Sequence, residues 1–538
     1  MSAIVTPTFR RNSVGDFKAG IDDENNNYFI GIGRLIPWPN NPPLTANGDP
    51  ISEESSLFAE PLPQVTLAEE LDVRNELMTL VKIQGDASSV VIPRNEWSTG
   101  RKYKLYDPTD PLTFEKEGNL YPCVTVSDKK IYLCVENGEF DGSIPNSSER
   151  PDVDNQSYQS ATQRVGFNRG DGYVWVYLAD MLNNSLDNDQ FVSISSDTLV
   201  NASDQSPAPL DGLDLRDDAK DATGGLVYSF KIEETTSTVD LTTLVLVLEG
   251  INESGTKIAD VLIHDKGDVN GSGTAAPFKI EGPLSGGGLE RIKYTNANGQ
   301  ANAYQNAPIG YKKATVTAYS EDSNGVRTKI DGIKITPLLA PIDGFGYDIK
   351  TTTAAHYIGL HARFAESVDG EALTTGAYRQ ISVIKNPQRR TDQSPDDSNN
   401  INPALRYDDE VAIDCLDYIQ LDANETNLNV AFDPGTTIVQ ENSGARARVA
   451  HVDVLGKRIY FQQQDQHESN FLPFTTNSAD NITLTQGSIT ATIDGSDISH
   501  IAESEYIHDT GEVLFVDNRK RINRNNDQIE DLRIVIQF

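Results

Sequence analysis

Cysteine, methionine and tryptophan are scarce in this 538-residue chain, three of each. Cys123, Cys134 and Cys415 are too few for a disulfide framework, and they show neither CxxC spacing nor a flanking histidine, which argues against zinc. Each is read as a small buried apolar side chain, as for Cys134 in the alternating run KKIYLCVEN. This usage suits synthesis and assembly in a reducing cytoplasm. Histidine is also sparse, with seven residues and no HExxH. His356 and His361 lie five apart in a predicted strand, so they point to opposite faces and make no metal pair. No apolar run reaches the roughly 20 residues a spanning helix needs, so no membrane insertion is expected. The opening MSAIVTPTFRRNSVGDF lacks the apolar core of a secretory signal, and export by that route is not expected. Positive charge is in short supply as well, 45 Lys and Arg against 80 Asp and Glu, a formal charge of −35. Such a surface repels phosphate backbones, so no nucleic-acid partner is expected, and it keeps a large protein soluble until it docks.

The motifs of common chemistries are missing too. There is no GxxxxGK[ST] loop and no GxSxG elbow, and GIGR at 31–34 lacks the third glycine of a dinucleotide fingerprint. Asp265, Asp268 and Asn270 carry part of a calcium-loop pattern without the acidic twelfth residue. They read first as an Asx-rich turn. The basic patches RR (389–390) and RKR (519–521) read as solvated turns or partner contacts. Carboxylates are so abundant that no glycosidase-like pair stands out. The expectation is a protein with no catalytic residues, cofactor or metal, and not an enzyme.

Strand signals dominate what is present. YFIGIGRLIPW (28–38), VVIPRNEW (90–97), YPCVTV (121–126), KKIYLCVE (129–136) and GYVWVYLADM (172–181) are β-branched or aromatic runs between turn residues. One segment, 66–83, has roughly helical spacing at Leu67, Leu71, Val73, Leu77, Leu80 and Val81. From about 186 an acidic, Gly/Pro-punctuated connector leads into alternating runs at 226–232, 242–251, 312–322 and 326–335, which suggest a small Ig-like β-sandwich. After a return to the first texture and a polar spacer at 388–403, residues 411–504 form another β-rich block, including the hairpin-like SGARARVAHVDVLGKRIYFQQ. EVLFVDNRKRI and LRIVIQF close the chain as strands. The predicted fold is mainly β: a layered β-sandwich core with a short helical segment and two inserted β-rich domains. The core comprises 1–185, 339–410 and 505–538, and the insertions 186–338 and 411–504.

Two groups call for a structural account. VIPRNEW places Pro93, Arg94 and Trp97 together, and Arg-aromatic groupings are frequent at stable interfaces. The plainer reading makes Trp97 core and Arg94 a surface charge. RGDGYVWVYL turns at Gly172 into a strand with Tyr173, Trp175 and Tyr177 on one face and Val174, Val176 and Leu178 on the other. A strand apolar on both faces must be covered on both sides. The RGD triplet there reads as a turn.

AIVTPTFRRNSVGDF, YFIGIGRLIPWPN, VVIPRNEW, GDGYVWVYL, YRQISVIKNP and TGEVLFVDNRKRI with DLRIVIQF follow one another in an order that resembles the baseplate wedge subunit of T-even-type contractile-tailed phages, the wedge protein eight family. The resemblance covers 1–185, 340–410 and 505–538. It implies a layered β core, a homodimer within each of six wedges, other wedge proteins as partners, and a place in the virion tail baseplate without a catalytic role. It also implies that Arg34, Pro37, Trp38, Pro93, Arg94, Trp97, Gly172, Trp175, Arg379, Gln380 and Asn386 maintain the shared core or its contacts. The blocks 186–338 and 411–504 exceed what that family leads one to expect. The alternatives are a receptor- or glycan-binding tail adaptor, with Tyr228, Tyr294, Tyr304 and Tyr319 as candidate exposed aromatics, and a tail-associated hydrolase.

Overall fold

The structure, a computed structural model, describes residues 6–35, 37–38, 60–64, 66–83, 87–110, 112–140, 142–151, 167–168, 170–181, 186–194, 224–234, 239–263, 278–281, 289, 291–294, 308–346, 348–364, 376–388, 412–425, 432, 434–441, 443–463, 472–476, 483–486, 489–494, 501–524 and 529–538. The fold is mainly β, built from several antiparallel sheets. Helices among the described residues are Pro7–Asp22, Leu67–Asn75 and the single turn Ile349–Thr352. The chain divides into two compact units. One comprises 1–18, 89–359 and 535–538; the other comprises 19–88 and 360–534.

The second unit is organised on a five-stranded antiparallel sheet ordered Ala412–Asp414, Leu77–Lys82, Tyr28–Gly33, Gly376–Lys385, Glu512–Arg524. Tyr28–Gly33 lies at its centre and is buried at all six positions. A strand covered on both faces reads as a continuous apolar run, and YFIGIG does. The expected helix over 66–83 is corrected here. Thr66 caps it by accepting the Glu69 amide, the helix stops at Glu76, and Leu77–Lys82 is a strand. The periodicity misled because Leu67 and Leu71 are exposed, whereas Leu77, Met78, Thr79, Leu80 and Val81 are all buried in the sheet. RKR at 519–521 is likewise not a turn; it lies within Glu512–Arg524. A seven-stranded sheet spans Asp417 to Ala502. Its hairpin Arg446–Asp453 with Arg458–Gln462 covers a core of Ile419, Ile438, Val449, Ile459, Phe461 and Phe474.

In the first unit a four-stranded sheet runs Val124–Ser127, Lys130–Asn137, Tyr173–Asp180, Phe167–Asn168. Its third strand is buried from Tyr173 through Leu178, so both faces are covered as the two-sided pattern requires. Ser88–Pro93 pairs with Phe191–Ile194. Between 227 and 339 a six-stranded antiparallel sheet forms, and Phe278–Glu281 with Arg291–Tyr294 makes a separate hairpin. The run at 326–335 is interrupted at Asp331–Gly332, giving strands Arg327–Lys329 and Lys334–Leu339.

The six-stranded sheet is seated on the neighbouring loop by aromatic packing. Tyr228, fully buried, stacks on Tyr106 at 6.0 Å and meets Phe345 edge-on at 5.3 Å. Its hydroxyl donates to the Tyr106 carbonyl at 2.5 Å. Lys231 adds an ion pair to Asp107 at 3.0 Å, which together with the Thr109 hydrogen bonds outweighs burial and lowers the Asp107 pKa.

Candidate functional site

Four of the sequence-selected residues meet at one end of the five-stranded sheet. A register shift between Ile32 and Gly33 ends the central strand, and Arg34 follows in the left-handed region with φ 61°. A β-bulge re-aims the next side chain, and here the Arg34 guanidinium turns onto Glu76. Its Nη1 donates to both carboxylate oxygens at 2.9 and 2.8 Å. Gly33 is required beside it, because a Cβ there would stand 2.5 Å from the Glu76 carbonyl oxygen. Both charges are buried, with side chains only 11% and 7% exposed. Burial outweighs the attraction of Arg34 and pushes the Glu76 carboxyl up to about 7.

The half-buried Trp38 ring covers the guanidinium, 4.1 Å from Arg34 Cζ, and its indole N–H donates to the Arg519 carbonyl at 2.8 Å. Arg379 donates to the Leu35 carbonyl at 2.6 Å, and Gln380 donates to Asn518, which donates in turn to the Pro61 carbonyl at 2.8 Å. Gln462, from the seven-stranded sheet, donates to the carbonyls of Glu76 and Leu77 at 2.8 and 3.2 Å. Sequence reading found the cations and the tryptophan but missed Glu76, Gln462 and Asn518. An acidic residue directly before the apolar run LMTLV was the available signal for Glu76. Asn386 sits at the other end of the same sheet, at φ 51°, where its side chain bonds Asn26 and Asn27 and ties together the ends of two paired strands.

Pro93, Arg94 and Trp97 belong to the first unit. Arg94 is fixed on three sides, through Nε and Nη2 to Glu96 and through Nη1 to the Asn188 carbonyl at 3.1 Å. Trp97 is half-buried and donates to Ser147 Oγ at 3.1 Å. Trp175 is wholly buried, 5.2 Å from Tyr103 and 5.8 Å from Tyr173, and its indole N–H has no hydrogen-bond partner among the described residues. Gly172, at φ 93°, lies against Gly138, whose added Cβ would meet the Gly172 carbonyl oxygen at 3.0 Å. The RGD aspartate is committed inward. Asp171 accepts from Ser147 Oγ and the amides of Ser148, Glu149 and Tyr173, between 2.9 and 3.2 Å. That is a turn clamp rather than a presented recognition loop.

Reactive arrangements are few among the described residues. The three cysteines are buried and free, and burial pushes Cys123 up to about 12 and Cys134 and Cys415 well above the ordinary thiol range, so all stay protonated at neutral pH. Ser504, His508 and Asp417 come together, but the same His508 Nε2 faces Ser504 Oγ at 3.3 Å and Asp417 at 3.9 Å. A relay needs the two imidazole nitrogens to face different partners, and the Ser504 hydroxyl already donates to the Tyr506 carbonyl at 2.8 Å. No His/Cys/Asp/Glu cluster of metal-holding form occurs among the described residues. His356 and His361 have separate neighbours, Gln537 and Asp531. Asp265, Asp268, Asn270, the spacer pair Arg389–Arg390 and Tyr304 lie outside the described residues, as does the Tyr294 side chain. Of the remaining candidate aromatics Tyr228 is buried and Tyr319 half-buried.

The geometry is therefore that of packed, hydrogen-bonded junctions between β layers. No family model matches the chain. A curated relative does. The baseplate wedge protein gp8 of Enterobacteria phage T4 is 24% identical over 200 residues, which takes in 33% of this chain and 55% of that protein. The chain thus spans about half the length of the relative it matches. The likeness is distant and partial.

Proposed function

We propose that the chain is a structural subunit of the tail baseplate wedge of a contractile-tailed phage. In this reading it bridges neighbouring wedge proteins, forms a homodimer within each of six wedges after assembly in the host cytoplasm, and has no catalytic step of its own. The observation that carries the reading is the match to the T4 wedge protein gp8. The sheets support it: Tyr28–Gly33 and Tyr173–Leu178 are covered on both faces, which makes stiff blocks. A conformational switch on infection moves such blocks against one another rather than bending them. Permanent contacts of this kind bury on the order of 2,000 Å² or more. The blocks 186–338 and 411–504 are taken as insertions into a core of 1–185, 339–410 and 505–538, with Phe191–Ile194 and Ala412–Asp414 pairing with core strands where each block begins, and they enlarge the surface available to neighbours.

A phage carrying an early stop codon in this gene tests the proposal. It is expected to yield filled heads and no completed contractile tails, with rescue when the chain is supplied in trans. Complete tails that fail only in adsorption would overturn it and favour receptor or glycan binding.

A further inference from the structure

The described surface of the first unit carries a cleft of about 240 Å³ beside the VIPRNEW segment. Ile92, Phe114 and Val124 contribute its apolar lining together with Tyr121, while Arg94 and Lys116 supply charge. Pockets for cofactors and drug-sized ligands run to about 300–1,000 Å³, so this volume suits one large side chain better than a whole small molecule.

The charge around it runs against the rest of the protein. Among the described residues no carboxylate lines the cleft. The charged residues of its lining are Arg94 and Lys116, both cations, where the whole chain has 45 Lys and Arg against 80 Asp and Glu. Glu96 is engaged by Arg94 and Glu117 by Lys104 at 3.0 Å. Two cations stand beside one ring: Arg101 Cζ lies 4.2 Å and Lys116 Nζ 4.6 Å from the centre of Tyr121. Lys116 is exposed and has no carboxylate partner among the described residues. Arg94 is immobilised with its charge paired to Glu96, so it forms a fixed part of the wall.

We infer that this cleft is a socket for a bulky apolar side chain carried on an acidic segment of a partner protein. The inference rests on the assembly reading and adds the chemistry of one contact. A side chain buried in a preformed pocket is the kind of group that dominates interface energy, while rim charges steer the approach and fix the register. The −35 charge of this chain repels acidic partners elsewhere, so a locally positive mouth selects where such a segment can land.

Binding of short probe peptides to the full-length protein, followed by ligand-observed NMR, tests this. The peptides are acetyl-Asp-Phe-Asp-Asp-amide, its Phe→Ala analogue, and acetyl-Lys-Phe-Lys-Lys-amide. The acidic Phe peptide is expected to bind at least tenfold more tightly than either control, and Lys116→Glu, at an exposed position that leaves the fold intact, to weaken it about tenfold. Equal binding of all three peptides, no saturable binding, or indifference to Lys116→Glu would overturn the inference. Phenylacetate binding as tightly as the peptide would overturn it in favour of a small aromatic acid. The stop-codon phenotype is independent of all these outcomes, so failure of the socket and failure of the wedge role are separable.

Discussion

Arg34→Met removes one half of the buried pair under Trp38, and its cost should depend on pH in a defined direction. Glu76 moves from an ordinary 4.5 to about 7 because burial outweighs Arg34. A carboxyl raised in the folded state binds its proton more tightly there than in the unfolded chain. Its contribution is fully present below the unfolded value and is lost as pH rises through about 7. At about 1.4 kcal/mol per pKa unit, this one group contributes about 2 kcal/mol more stability at pH 5.5 than at pH 8. At pH 5.5 Glu76 is already protonated, so losing Arg34 removes little favourable Coulomb energy. At pH 8 the same substitution drives Glu76 to take up a proton, which costs up to about 1.4 kcal/mol more than at pH 5.5, the equivalent of one pKa unit. Glu76→Gln keeps an acceptor for Arg34 and should flatten the Glu76 part of the pH slope. Hydrogen exchange at the amides of Tyr28–Gly33 and Leu77–Lys82, compared between variant and parent at both pH values, isolates this effect from the other acidic groups. An equal loss at the two pH values, or a larger one at pH 5.5, would refute the reasoning.

Trp175→Ala should cost about 3–5 kcal/mol by leaving a cavity beneath Tyr103 and Tyr173. Trp175→Phe should cost clearly less, since it also removes a buried N–H without a partner among the described residues; urea unfolding of both variants checks the order. Gly172→Ala should lose about 1–3 kcal/mol, because φ 93° is strained for any residue with a Cβ, and thermal unfolding reads it. Tyr228→Phe deletes the hydroxyl bond to the Tyr106 carbonyl and should loosen that junction by about 0.5–1.5 kcal/mol. Faster exchange confined to Val227–Glu234 and the 103–110 loop would show it, and unchanged exchange would contradict it.

Strand existence was legible wherever an apolar run was long and bounded by turn residues, because burial on both faces leaves no polar alternation to misread. YFIGIG and YVWVYL are the clearest cases. Boundaries between unlike elements were not legible. Thr66 announces a helix, but nothing in ELDVRNELMTLV marks where Glu76 ends it, since the strand is chosen by the neighbours Tyr28–Gly33 and Ala412–Asp414. The helix Pro7–Asp22 escaped notice for a similar reason: within it Val14 and Ile21 are buried while Phe9 is exposed, too thin a stripe to show a period. At the candidate junction the conspicuous residues Arg34, Trp38 and Arg379 were found. Their partners are separated from them by tens to hundreds of positions, and only the folded chain brings Glu76, Gln462 and Asn518 to them.

Counting this chain against a hub protein by quantitative mass spectrometry, on purified virions separated into head and tail fractions, tests the wedge role most directly. The account predicts a multiple of six copies in the baseplate fraction, with twelve for a dimer in each wedge. Absence from the particle, or a few copies at a fibre tip, would contradict it.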